Sequence, residues 1–124
     1  MVLDASAVLA YLFREPGTEI IEHNFGEAIM SAVSLADVLS RVAQDGNDVA
    51  ALQSELENRL FEIVPFTGFD AAGTAALAVT TMPPGLTVGE RAAVELARAR
   101  GTDVWTADRA WEMLDLPVRV RVVR

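Results

Sequence analysis

The chain has 124 residues, 52% of them hydrophobic, and a net charge of −8. That length and apolar fraction suit one domain with a real core and exclude disorder as the main state. All ten basic residues are arginines and there is no cysteine, which excludes lysine-dependent phosphate loops, Schiff-base chemistry, disulfides and thiolate metal sites.

Val2-Leu3 reads as the end of a first strand, and Ser6 to Arg14 as a helix with Val8, Leu9, Leu12 and Phe13 inward. Glu15-Pro16-Gly17 breaks it, and Pro16 can start the next helix, through about His23. Ala28 to Ser31 is a short buried strand, and Ser34 to Gln44 a helix closed by Asp45-Gly46-Asn47. Val49 to Asn58 is a further helix, and Leu60 to Val64 a strand ended by Pro65. Phe69 to Thr80 is an Ala-rich helix, followed by the loop Met82-Pro83-Pro84-Gly85. Thr87 to Arg100 is a strong helix stopped by Gly101. Asp103 to Trp105 is a strand, Asp108 to Leu114 a short helix and Pro117 to Val122 a last strand. Strands alternating with helices predict a parallel, three-layer α/β/α sheet, made more helical by the two helices around and after Asp37. In Arg119-Val120-Arg121-Val122 the alternation predicts an edge or half-exposed strand with its arginines outward.

The acids fall at informative places. Asp4, Asp37, Glu90 and Asp108 each follow a short apolar or β-prone run and stand near the start of a helical pattern. Singly, each reads first as a helix cap, because the helix dipole favours acids there. Ser34-Leu35-Ala36-Asp37 and Thr87-Val88-Gly89-Glu90 both match the capping box. In a parallel α/β sheet, however, strand ends and helix starts share the edge where ligands bind. Carboxylates gathered there are tolerable mainly around a hard divalent cation, which makes a metal-dependent phosphodiesterase the leading reading. Ser6 and Thr106 can donate to these carboxylates or to bound water, holding the site from behind. Arg91 and Arg109 directly follow two of the acids, placed to steer RNA phosphates or to pair with neighbouring carboxylates. Asp103 is an additional acid with a minor claim on the site. His23, the only histidine, reads as a surface residue, and Trp105 and Trp111 as packing.

The strings Val2-Leu3-Asp4-Ala5-Ser6-Ala7, Ser34-Leu35-Ala36-Asp37-Val38, Gly89-Glu90-Arg91-Ala92 and Thr106-Ala107-Asp108-Arg109-Ala110-Trp111 resemble the PIN-domain family. The likeness is to VapC-type toxins of toxin–antitoxin modules, and covers the whole chain in length and motif order. It implies a PIN-like fold with a short central parallel sheet and an additional helical hairpin. It implies a Mg²⁺-dependent ribonuclease, with Mn²⁺ as the other candidate ion, blocked by a partner antitoxin. The family's acids fall on Asp4, Asp37, Glu90 and Asp108 as catalytic residues, with Asp4, Glu90 and Asp108 holding metal. The second acid is usually glutamate and the third aspartate, so Asp37 and Glu90 trade one methylene each way and keep the charge.

Two enzyme rivals fail on single residues. A phosphoryl-transfer receiver domain needs a lysine, and an aspartyl-nucleophile phosphatase wants an aspartate where Ser6 stands. The remaining alternative is a catalytically weak PIN-like module that acts by binding RNA or a protein partner. Leu9, Leu12, Phe13, Val38, Leu39, Val42, Leu52 and Leu56 exceed what one small core easily hides, which predicts a homodimer and a groove for the antitoxin. With no apolar run long enough for a bilayer and no basic flank before Leu3, the expected location is cytoplasmic.

Overall fold

The computed structural model describes residues 1–60 and 62–124; Phe61, within the predicted strand Leu60–Val64, lies outside the described residues. Strands β1 (Val2–Leu3), β2 (Ile29–Ser31), β3 (Glu62–Val64), β4 (Val104–Thr106) and β5 (Val120–Val122) form one sheet in the order β3-β2-β1-β4-β5. Every neighbouring pair is parallel. The helices are α1 (Ala5–Leu12), α2 (Glu19–His23), α3 (Ala32–Gln44), α4 (Val49–Arg59), α5 (Gly68–Thr80) and α6 (Val88–Arg100). The predicted helix Asp108–Leu114 is a 3-10 segment, Arg109–Met113.

Successive strand residues point to opposite faces, and this splits the core in two. Leu3, Met30 and Trp105 pack with α1, α2, α3 and α4 through Val8, Ile21, Leu35, Val38 and Leu56. Val2, Ile29 and Val104 pack with α5, α6 and the 3-10 segment through Leu77, Val94, Ala97 and Trp111. The result is the three-layer α/β/α arrangement with the extra helical hairpin of α3 and α4. Sheet strands buried on both faces read as continuous apolar runs, as Val2-Leu3 and Ile29-Met30 do. At the exposed edge, Arg119 and Arg121 face solvent while Val120 and Val122 are half-buried.

Helix ends follow local chemistry. Gly101 closes α6 in the left-handed region at φ 63°, which a residue with a Cβ adopts at a cost. Two sequence expectations need correction. Ser31, not Ser34, caps α3: its hydroxyl accepts from the Val33 amide at 3.2 Å, so Ser34 and Asp37 form no capping box. The apolar excess is also smaller than the sequence suggested. Val38, Val42 and Leu56 are buried, and Leu9, Leu12, Leu39 and Leu52 pack half-buried against the first core. Of those eight residues only Phe13, 47% exposed, remains outside, with the Arg41 guanidinium 5.2 Å from its ring centre. No helix among the described residues is long and apolar enough to cross a membrane.

Candidate active site

Parallel strands end on a common edge, and the strand order reverses direction between β1 and β4. A ligand crevice belongs at such a reversal. Asp4 follows β1 there, and Thr106 ends β4 beside it. The Asp4 amide continues the strand pairing, donating to the Trp105 carbonyl at 3.0 Å.

Asp4 is 2% exposed. Its Oδ1 accepts from the Ala7 amide and from the Ser6 hydroxyl, both at 2.8 Å, and its Oδ2 accepts from the Thr106 hydroxyl at 2.9 Å. The two hydroxyls are held in turn. Ser6 Oγ accepts from the Ala107 amide at 3.0 Å, and Thr106 Oγ1 accepts from the Asp108 amide at 3.1 Å. Asp4 is therefore both the cap of α1 and the centre of a network that ties β1 to the chain after β4. Burial pushes its carboxyl from the usual 3.8 up to about 6, and the Glu90 charge pushes the same way. The bonds from Ala7, Ser6 and Thr106 pull against this rise without cancelling it.

Glu90 stands in the first turn of α6, in the predicted capping box with Thr87. Its Oε1 accepts from the Thr87 amide at 2.9 Å, and its Oε2 accepts from the Trp111 indole N–H at 3.0 Å. Asp37 comes from the second turn of α3 and leans on Gly89, where a Cβ would meet Asp37 Oδ2 at 2.1 Å. Partial burial raises the Asp37 carboxyl above its ordinary range, and the Glu90 charge adds to it. The Glu90 charge thus acts on both aspartates. Asp108 is exposed and caps the 3-10 segment, accepting from the Ala110 amide at 2.9 Å. It joins the group through its own amide on Thr106.

The other candidates lie as follows. Arg109 is exposed beside Asp108. Arg91 turns to α5, where its Nη1 donates to the Thr74 carbonyl at 3.3 Å; its buried Nε has no partner among the described residues. None of the four acids is in an ion pair among the described residues. His23 is exposed at the end of α2, as expected. Asp103 precedes β4, and its carbonyl accepts from the Val2 amide at 2.8 Å. It therefore lies at the opposite end of the sheet from Asp4 and outside the site. Sequence reading missed two contacts. Gly89 admits Asp37, and Trp111, buried at 1% exposure, grips Glu90. A glycine directly before an acid in a helix's first turn was the available signal for the first.

The PIN domain family profile matches residues 1–116. The chain belongs to the PIN domain family. No curated protein sequence matches it significantly. Among solved structures, VapC20 of Mycobacterium tuberculosis, described as a sarcin–ricin loop cleaving toxin, superposes with a TM-score of 0.74. The identity is 12%, over 90% of this chain and 92% of that one. DNA-bound VapBC from Salmonella typhimurium gives 0.72 at 16% identity, over 99% and 97% of the two chains. FitAcB from Neisseria gonorrhoeae gives 0.69 at 19%, over 97% and 95%. At such identities the likeness is one of fold, and it matches the PIN arrangement of the sheet described above.

A PIN site implies a divalent cation, and the donors suit one. They are all carboxylate oxygens, with no thiolate and no imidazole beside them, which selects hard ions such as Mg²⁺ or Mn²⁺. No group of three or more such side chains among the described residues is gathered closely enough to be a ready metal cage. Mg²⁺ does not need one, since it takes one or two carboxylates and keeps its remaining waters.

Proposed function

We propose that this PIN domain is a divalent-metal-dependent ribonuclease that acts as the toxin of a toxin–antitoxin pair. The observation that carries the reading is the buried, unpaired Asp4 at the strand-order reversal, with the Glu90 charge acting on it and on Asp37. A bound Mg²⁺ or Mn²⁺ would make a coordinated water more acidic and place positive charge against the negative charge that develops on the phosphate. The chain's own residues do the rest. Asp4, Glu90 and Asp108 would hold the ion directly or through water, and Asp37 would complete the charge. Ser6 and Thr106 would favour the ionised Asp4 carboxylate, against its burial, and hold its orientation. Arg109 is free to meet an RNA phosphate, whereas Arg91 would have to leave Thr74 to do so.

The test is RNA cleavage by purified protein freed of any copurifying antitoxin. Activity should vanish with EDTA and return with Mg²⁺ or Mn²⁺. Asp108→Asn should slow cleavage by roughly 10²–10³-fold, the kinetic equivalent of several kcal/mol of lost charge stabilisation, with an unchanged melt, because asparagine caps as well as aspartate. A second reading, a binding module without turnover, draws on the absence of a ready three-carboxylate cage among the described residues. Metal-independent RNA binding with no cleavage would establish it over the first.

The antitoxin is a proposed partner, in keeping with the VapBC and FitAB complexes among the structural relatives. Its arginine or lysine side chain would enter among Asp4, Asp37, Glu90 and Asp108 and pair by charge-assisted hydrogen bonds. Excess Mg²⁺ should then compete with a basic antitoxin peptide, and indifference to Mg²⁺ would place inhibition elsewhere. Phe13 is the residue on which a homodimer can be tested. Phe13→Glu should shift light scattering from dimer to monomer, and a wild-type monomer at micromolar concentration would remove the dimer.

A further inference from the structure

Trp111 sits at an unusual junction. Its side chain is the largest fully buried one in the protein, 1% exposed, in the core formed by Val2, Ile29, Leu77, Val94 and Val104. A tryptophan so placed is explained by packing alone, except for its indole N–H. That donor needs a partner once buried, and the partner it has is Glu90 Oε2 at 3.0 Å. The other oxygen, Oε1, is held by the Thr87 amide at 2.9 Å. Glu90 has three side-chain torsions, one more than aspartate, and left alone would sample many rotamers. With a donor on each oxygen, from two different elements, it has one orientation.

Resting on the ribonuclease reading, we propose that Trp111 is a positioning residue that presets the Glu90 carboxylate for a divalent cation through its indole N–H. The grip has a direction. An indole donor on Oε2 leaves that oxygen a second lone pair, and Oε1 likewise keeps one beyond the Thr87 amide. Glu90 is half-exposed, so those lone pairs are open to a ligand from solvent, and the ring behind is anchored in the core. The same carboxylate is the one whose charge reaches both Asp4 and Asp37. Fixing Glu90 therefore fixes the common neighbour of the other two acids. Partners of this kind, which hold a ligand's orientation without touching the metal, typically account for about 10–100-fold in metal affinity.

Two measurements test the proposal together. The first is on the wild-type protein: the assigned Trp111 indole ¹⁵N–¹H resonance should shift during a Mg²⁺ titration, in step with Mg²⁺ binding read by calorimetry. The second is Trp111→Phe, which keeps an aromatic ring in the core and deletes the donor. Its Mn²⁺ affinity should fall by about tenfold or more, while a cooperative melt shows that the fold persists. In a Glu90→Ala background, Trp111→Phe should cost no further affinity, because its effect runs through Glu90. If wild-type protein binds Mn²⁺ and Trp111→Phe binds within twofold of it, Trp111 is core packing only and the proposal is overturned while the ribonuclease reading stands. An indole resonance that stays still through saturating Mg²⁺ overturns it equally, even if the variant does not fold. If the wild type binds no divalent cation at all, the ribonuclease reading fails and takes this inference with it.

Discussion

Asp4→Asn is expected to abolish metal-dependent RNA cleavage and, without metal at pH 7.5, to melt above the wild type. The loss of activity follows from removing the charge at the centre of the site. The gain in stability follows from burial. Folding raises the Asp4 carboxyl from 3.8 to about 6, so the folded state resists ionisation that the unfolded chain accepts. A carboxyl raised in this way leaves the fold most stable below 3.8, and stability falls as pH climbs through about 6. The difference corresponds to about 3 kcal/mol at pH 7.5. Asparagine escapes that cost but loses part of the hydrogen bonding. The Ser6 and Thr106 hydroxyls can rotate to accept from the new amide, which limits the loss to about 1 kcal/mol. A net gain of about 2 kcal/mol, roughly 8 °C in a domain of this size, is the expected result. The pH profile separates this cause from others. The advantage of Asn over Asp should shrink by about 2 kcal/mol between pH 7.5 and 4.5 as Asp4 takes up its proton. Saturating Mg²⁺ should also narrow the gap, since a bound cation stabilises only the aspartate form. A gap that is flat in pH would mean that Asp4 is not the buried charge the geometry makes it.

Much of this arrangement was legible in the chain because its signals are local. Period, caps and breakers place Val2-Leu3, Ala28–Ser31 and Thr87–Gly101 within a residue or two of their observed bounds. The Thr87–Glu90 box is a contact within one turn, so its spacing alone reveals it. The Ser34–Asp37 pattern has the same spacing and misleads. Ser31 was already free to cap, and the helix begins two residues earlier, at Ala32. At Asp4 and Asp108 capping and the proposed site role are compatible. Each accepts a local amide with Oδ1, and Asp4 also accepts from Ser6 and Thr106 at the strand-end edge. What stayed hidden is the choice of long-range partner. Thr106 donates to a carboxylate as expected, but the carboxylate is Asp4, 102 positions away, and the reach of Trp111 to Glu90 across 21 positions was not read at all; no periodicity encodes either pairing. Asp103 failed for the complementary reason: it is near Asp108 in sequence, but a strand separates them.

Gly89→Ala should leave the protein as stable as the wild type and still cut its cleavage rate on the order of 10²-fold. The backbone permits the change, since Gly89 is in the first turn of α6 and has no left-handed φ to lose. In a helix, alanine is favoured over glycine by roughly 0.5–1 kcal/mol. The obstacle is steric: the new methyl would lie 2.1 Å from Asp37 Oδ2 and 3.3 Å from its Cγ, while Val33 Cγ1, at 3.8 Å, is in ordinary contact. Asp37 must therefore yield, and it can. Its residue is exposed, so the carboxylate can swing into water for a rotamer cost of about 0.5–1.5 kcal/mol. The two contributions nearly cancel in stability, but the acid has left Glu90 and the cation it would help to hold. Because aspartate has one methylene fewer than glutamate, it cannot bend around the methyl and return. Asp37→Ala should therefore be about as slow as Gly89→Ala, and the double variant no slower than either, since both remove the same carboxylate from the same place. Thermal melts beside single-turnover cleavage assays would read this directly. A Gly89→Ala protein with full activity would show that Asp37 works from a position the methyl does not touch, or does not work in the reaction at all.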